Sequence, residues 1–302
     1  MNPGSLLDIA SLSAQDIRSY LDLADKMDPL QPQTLLAGKR VILLFYEAST
    51  RTRISFELAA KALGATTILI TAAASSIEKG ESLLDTGYTL RALNADAIVM
   101  RHPSSGAPHT LSQHIDIPVI NAGDGMHEHP SQGLLDARTI LQHKKKLDGL
   151  RLTIVGDIFH SRVARSNAHL LTKMGAHVTF CGPPELCPSV AAKLVPNGSV
   201  RVTHDLEDGI RDADVVMLLR IQKERLEGME LRVQDYIDRF QMTRERLGWI
   251  KPDAIVMHPG PIVRGLELTS EVADHERAVI LNQVHNGVPT RMAILARALG
   301  KA

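Results

Sequence analysis

Several short stretches of this chain combine residue types able to hold an anion or polarise a carbonyl, and each follows a short apolar run. The first, Ser49-Thr50-Arg51-Thr52-Arg53, interleaves hydroxyls with arginines where an apolar run gives way to a helical pattern. The open N–H groups and positive dipole end of a helix start suit an oxyanion, phosphate above all. Ser49, Thr50 and Thr52 add hydroxyl donors, and Arg51 can meet two phosphate oxygens with its planar fork. The same residues would also serve as an ordinary N-cap followed by a solvated basic turn. The glycines and terminal lysine of a P-loop are missing.

Met100-Arg101-His102-Pro103 ends a later apolar run. In open parallel sheets ligands gather beyond the carboxyl ends of the strands, which puts Arg101 on the same edge as Arg51. Alone, Arg101 is equally a surface arginine at a strand end. In Gly123-Asp124-Gly125-Met126-His127-Glu128-His129-Pro130-Ser131-Gln132, two histidines flank a glutamate. The spacing does not match the helical His-Glu-x-x-His zinc site, and a proline follows at once, so no metal is expected. Hydrogen bonding is the better use: His129 can donate to a developing carbonyl oxyanion and Gln132 can accept from an amide. Either could instead be a satisfied loop side chain.

Further along, Arg162 follows Val155-Gly156-Asp157, where a dinucleotide fingerprint would need three glycines and only Gly156 is present. Arg220 and Gln222 follow another apolar run. A second cluster of cationic forks suggests a dicarboxylate facing the phosphate site across a cleft. His258-Pro259-Gly260-Pro261 forms a stiff turn whose backbone carbonyls are not all usable in a ladder, leaving some to accept from a ligand.

The elements that must position these residues can be read from the pattern. Candidate strands, short β-branched or aliphatic runs, at 41–45, 66–70, 97–100, 118–120, 152–155, 177–180, 215–219 and 254–257 alternate with helical patterns at 52–63, 134–145 and 163–174. Each helical pattern is closed by a glycine, the expected C-terminal stop. The expected fold class is α/β with two domains, each a parallel sheet flanked by helices. A chain of 302 residues accommodates two domains. The boundary is expected near Ser131, giving domains over 1–130 and 131–284, with a last helix within 285–302 that the pattern alone assigns to neither. Lys+Arg and Asp+Glu are equal at 34 each, which excludes the basic surplus a nucleic-acid partner would want. No apolar run approaches the roughly 18–20 residues of a membrane span. Met1-Asn2-Pro3-Gly4 has no basic stretch leading into an apolar one, against a secretory signal. Two cysteines, Cys181 and Cys187, are too few for a disulfide framework. A cytoplasmic, reduced protein is expected.

Taken together the motifs resemble the aspartate transcarbamoylase family, in family order over almost the whole chain. Ser-Thr-Arg-Thr-Arg marks transcarbamoylases generally. Arg-His-Pro, Gly-Asp-Gly…His-Pro-Ser-Gln, Gly-Asp-Ile…His-Ser-Arg, Arg-x-Gln and His-Pro-Gly-Pro point to the aspartate branch. The resemblance implies one domain for carbamoyl phosphate and one for L-aspartate, with the C-terminal helix packed on the first. It implies that Ser49, Thr50, Arg51 and Thr52 hold the phosphate, and that Thr52, Arg101 and His129 polarise the carbamoyl oxygen. Gln132 and the carbonyls of Pro259 and Gly260 would take the amide protons, while Arg162, Arg220 and Gln222 bind aspartate. Ser75 and Lys79 match a family loop that enters a neighbour's active site, which implies a homotrimer with shared sites. By composition that loop is a solvated polar turn. No cofactor is implied. Gly260 departs from members with a larger apolar residue there. Regulatory chains or a dihydroorotase as further partners stay open. An ornithine-type enzyme would resemble His-Cys-Leu-Pro where this chain has His258-Pro259-Gly260-Pro261, and its cationic acceptor would not suit Arg220. A non-catalytic subunit of a pyrimidine-pathway assembly should have lost some of Arg51, Arg101, His129 or Arg162, and all are present.

Overall fold

Runs such as Val41-Ile42-Leu43-Leu44-Phe45 are apolar at every position, so they need cover on both faces, and parallel sheets sandwiched by helices provide it. The computed structural model describes residues 4–71, 80–196, 200–221 and 231–301. They form two units, Met1–Leu135 with Val284–Ala302, and Asp136–Gln283.

In chain order the first unit contains α1 (Ala14–Asp25), β1 (Arg40–Phe45), α2 (Thr50–Ala62), β2 (Thr66–Thr71), α3 (Leu83–Ala92), β3 (Ala97–His102), α4 (Ala107–His114) and β4 (Val119–Asp124). Its parallel sheet has the order β2-β1-β3-β4. The helix α5 (Pro130–Lys144) begins in this unit, and the division falls inside it, between Leu135 and Asp136. The second unit continues with β5 (Arg151–Val155), α6 (Arg162–Lys173), β6 (His177–Cys181), β7 (Val200–Thr203), α7 (Leu206–Ile210), β8 (Val215–Leu218), α8 (Val233–Phe240), β9 (Ile255–Met257) and α9 (Ser270–Ala273). Its sheet is also parallel, in the order β7-β6-β5-β8-β9.

The final helix, α10 (Ile280–Ala298), packs along most of its length on the first unit. Its Arg291 guanidinium lies 5.0 Å from the Phe56 ring centroid, and Arg297 lies 4.3 Å from that of Tyr20. Arg297 also pairs with Asp16 at 2.7 Å. The helix begins at Ile280, five residues before the expected stretch 285–302, and it carries Pro289 in its interior.

Each core follows from the pattern. Ile42, Leu44, Ile98, Met100 and Val119 are buried under Leu90, Leu111 and Ile115 in the first unit. In the second, Val155, Val216, Leu218 and Val256 are buried with Tyr236, Phe240 and Leu247. Cys181 and Cys187 are free and fully buried, and burial pushes the Cys187 thiol up to about 12. Neither is a thiolate near neutral pH. Among the described residues no helix is long and apolar enough to cross a membrane.

Candidate active site

In the first unit the candidate residues issue from the carboxyl ends of β1, β3 and β4, which are neighbours in the sheet. Phe45 and Arg101 are register partners, and the Tyr46 N–H donates to the Arg101 carbonyl at 2.9 Å. This fixes the exit of β1 beside Arg101. Four residues later α2 begins, with Ser49 extended at its N-cap position but making no side-chain capping bond. The serines that start α1, α3 and α6 all cap: Ser13, Ser82 and Ser161 accept from the amides of Asp16, Asp85 and Ala164. The Ser49 hydroxyl and the first amides of α2 are therefore not committed to each other, and α2 has no acidic residue in its first turn. An anion is the partner such an end favours.

Thr50 and Arg51 are exposed, Ser49 is half-buried, and Thr52 is buried. Neighbouring protein partly desolvates the Arg51 guanidinium and lowers its pKa. Arg101 is mostly buried, with 14% of its side chain exposed; it donates to the Ala122 carbonyl at 3.2 Å and lies 3.5 Å from the Glu47 carboxylate. The Arg101 backbone is thus pinned by β1 and its side chain by β4.

His129 stands just before α5, its carbonyl accepting from the amides of Gln132 and Gly133. Pro130 at the first helical position costs no bond, because that N–H has no partner inside a helix. The His129 ring is buried, with Nε2 3.5 Å from the Thr52 Oγ1 and Nδ1 3.5 Å from the Ser131 Oγ. Gln132, also buried, is on the first turn of the same helix. Thr52 and His129 therefore meet although 77 residues separate them in the chain.

The neighbouring acids and histidine have other work. The Glu128 carboxylate accepts from the amides of Ile9 and Ala10 at 2.9 and 3.1 Å, tying the N-terminal segment to the site loop. Asp124 is fully buried. Burial opposes its ionisation, but bonds from His127, Asn121 and the Gly106 and Glu128 amides outweigh that and hold its pKa below the usual range. The bond to Asp124 raises the pKa of His127 in turn. At Gly125 φ is +46°, and a Cβ would lie 2.7 Å from the Ser105 nitrogen, so the turn leading to His129 requires glycine. Among the described residues no group of three His, Cys, Asp or Glu side chains is placed to hold a metal.

In the second unit the candidates again follow the carboxyl ends of neighbouring strands, β5, β8 and β9. Gly156 leaves β5 at φ +127°, with its missing Cβ 3.2 Å from Leu219, so the exits of β5 and β8 approach closely. Asp157 accepts from the amide and Nδ1 of His160, shaping the turn into α6, where Ser161 is the cap and half-buried Arg162 the first residue. Arg220 is exposed two residues beyond β8.

After β9, the His258 N–H donates to the Gln283 Oε1 at 2.9 Å, and its Nδ1 accepts from the Gly260 amide at 2.8 Å. Gln283 donates onward to buried Asp136. Pro259 and Gly260 are half-buried, and Gly260 has φ +74°, a conformation glycine adopts freely. A larger residue at 260 would be strained in this backbone, which accounts for the glycine there. Ser75, Lys79 and Gln222 lie outside the described residues.

Sequence reasoning missed the buried polar supports: Glu128, Asp124 and Asp136 around the loops already described, and Glu267 in the second unit. Acids at such positions look like surface charges until the fold buries them, and no periodic signal marks them.

Parallel sheets whose carboxyl ends carry an open helix N-terminus, a buried Thr–His pair and exposed arginines define an α/β protein suited to oxyanions and a polarised carbonyl. Comparison with known proteins is specific. Residues 5–142 match the carbamoyl-P binding domain of aspartate/ornithine carbamoyltransferase, and residues 148–298 match its Asp/Orn binding domain. The aspartate carbamoyltransferase catalytic subunit of Koribacter versatilis is 64% identical over 299 residues, covering 99% of this chain and 98% of that one. Among solved structures, ornithine carbamoyltransferase from Pyrococcus furiosus superposes with a TM-score of 0.88 at 31% identity, over 98% of this chain and 97% of that one. Aspartate transcarbamoylase from Trypanosoma cruzi, in complex with carbamoyl aspartate and phosphate, gives a TM-score of 0.86 at 32% identity, over 96% and 94%. This chain belongs to the aspartate/ornithine carbamoyltransferase family.

Proposed function

We propose that this chain is an enzyme that transfers the carbamoyl group of carbamoyl phosphate to the amino group of L-aspartate, giving N-carbamoyl-L-aspartate and phosphate for pyrimidine synthesis. The observation that carries the reading is the uncapped start of α2 beside the Thr52–His129 pair, an oxyanion site next to a carbonyl-polarising one. The phosphate is held by Ser49, Thr50, Arg51 and Thr52, and the carbamoyl oxygen by Thr52, Arg101 and His129. Gln132 and the carbonyls of Pro259 and Gly260 accept the amide protons. Arg162, Arg220 and Gln222, with Lys79, hold the two carboxylates of aspartate. The amine attacks the carbamoyl carbon, a C–N bond forms, and the tetrahedral oxyanion collapses with loss of the C–O bond to phosphate. The departing phosphate takes the amine proton. Catalysis here is positioning plus electrostatic stabilisation, with no covalent intermediate on the chain.

The fold does not discriminate the acceptor, since ornithine and aspartate enzymes superpose equally well. The acceptor residues favour aspartate: two cationic forks suit two carboxylates and repel a second ammonium. The 64% identical relative carries the aspartate name. The cytoplasm is the expected location.

The working form is proposed to be a homotrimer whose neighbours share sites through Ser75 and Lys79. An edge strand supports this: β2 exposes Ile68 and Leu69, and α2 beside it exposes Ile54 and Leu58. Bare apolar edges of this kind call for a partner. The stretch bearing Ser75 and Lys79 follows β2 directly in the sequence. Acceptor competition tests the reading: with carbamoyl phosphate and equimolar aspartate and ornithine, carbamoyl aspartate should dominate. Citrulline as the main product would refute it.

A further inference from the structure

Glu267 is fully buried in the second unit, yet it has no part in the reaction as written. Its Oε1 accepts from the Ile221 amide at 2.8 Å and its Oε2 from the Val263 amide at 2.9 Å. Ile221 sits between Arg220 and Gln222, the acceptor-binding pair that follows β8. Val263 lies just beyond Pro259, Gly260 and Pro261, the turn that follows β9. One carboxylate therefore fastens two loops that leave adjacent strands, each loop carrying candidate substrate contacts. The carboxylate is itself fixed from behind. The Glu267 carbonyl accepts from the Met242 amide at 2.9 Å, and the Leu266 carbonyl accepts from the Gln241 side chain at 3.2 Å.

We propose that Glu267 is a positioning residue, a brace that fastens Arg220 and Ile221 to the 258–263 turn and so holds Arg220 in the geometry that binds aspartate. The physical case rests on what the loops lack. Neither Arg220 and Ile221 nor residues 258–263 belong to a helix or a strand ladder, so the amides of Ile221 and Val263 need an acceptor supplied from elsewhere. Buried amides left unpaired would be costly, and a two-oxygen carboxylate serves both at once. The His258 Nε2 lies 3.9 Å from the Glu267 Oε2, with both side chains fully buried, so the brace also abuts the histidine that anchors the turn through the Gly260 amide. Burial raises the Glu267 pKa, and the amides of Ile221 and Val263 and the charge of Arg220 partly offset this. A buried acid kept in spite of that cost indicates a geometric task rather than stability.

The proposal rests on the carbamoyl-transfer reading, and the test separates the two. Glu267→Gln keeps the shape but presents an NH2 group to one of the two amides, so one loop loses its acceptor. The aspartate KM should rise at least about tenfold, equivalent to about 1.4 kcal/mol. The affinity for carbamoyl phosphate alone, by calorimetry, should fall less than that for aspartate, because the phosphate contacts lie in the first unit and only the Pro259 and Gly260 carbonyls depend on the braced turn. A purely structural role would lower the folded fraction while leaving the KM of the folded protein unchanged. An aspartate KM within about twofold of wild type overturns the brace. If the variant does not fold, hydrogen exchange on the wild-type protein decides: the Ile221 and Val263 amides should be strongly protected, and exchange at open-loop rates refutes the brace. Wild-type protein that makes no carbamoyl aspartate would sink the reaction reading, while the exchange measurement still decides the role of Glu267.

Discussion

Replacing Arg51 with alanine removes one cationic fork from the start of α2 and little else. Arg51 is exposed, and among the described residues no acidic group perturbs it, so the fold should not depend on it. In the proposed reaction Arg51 meets two oxygens of the departing phosphate, where negative charge grows as the C–O bond breaks. Hydrogen bonds with an ionised partner are worth about 1.5–3 kcal/mol each. Exposure argues for the low end, about 3 kcal/mol for the pair. At about 1.36 kcal/mol per tenfold, turnover should fall by about 10²-fold. Arg51→Lys, which keeps the charge but loses the fork, should fall between the variant and wild type. The assay is initial-rate formation of carbamoyl aspartate at saturating substrates, with chemical denaturation as the control for folding. Near-normal turnover in a folded Arg51→Ala protein would refute phosphate binding at this helix.

Arg220→Ala should raise the aspartate KM while calorimetric binding of carbamoyl phosphate barely changes; equal loss for both substrates would mean the units' roles are misassigned. Ser13→Ala should destabilise the protein by about 1 kcal/mol, because it breaks a complete capping box, whereas Ser49→Ala should stay within about 0.5 kcal/mol and weaken phosphate binding instead. Equal destabilisation by the two substitutions, read from denaturant midpoints, would show that Ser49 caps α2 after all. Arg51→Ala and Lys79→Ala proteins, each inactive, should regain about a quarter of wild-type activity when dissociated, mixed equally and reassembled, since about one site in four is then whole. Persistent inactivity in confirmed mixed trimers would confine both residues to one subunit's site.

Most strands were legible in the sequence as short aliphatic or β-branched runs, Val41–Phe45 being the plainest. The run at 41–45 became β1 with one added residue, and 66–70 became β2 likewise. The strand β7 was not legible: Val200-Arg201-Val202-Thr203 alternates and lies at the sheet edge, where a continuous apolar run is not needed. The sequence pattern ended β4 at residue 120, but the strand runs to Asp124 through Asn121 and Gly123. Burial of those polar residues is satisfied locally, with the Asn121 side chain donating to the Leu7 carbonyl and to Asp124. The helix α5 starts at Pro130 rather than 134, because proline is tolerated in a first turn that carries Ser131 and Gln132. Candidate site positions stood out because arginines and hydroxyls directly after apolar runs mark strand exits. The supports were not, because Glu128 and Glu267 act through backbone amides that only the folded chain brings near.

Formation of the new bond is the most direct test of the account. Purified protein, given 13C-carbamoyl phosphate and 15N-L-aspartate, should show a 13C resonance split by one-bond coupling to 15N. That signal should appear in step with inorganic phosphate, one for one, and Arg51→Ala should slow both together. Phosphate release without the coupled signal would mean that water, and not the aspartate amine, takes the carbamoyl group, and would contradict the account.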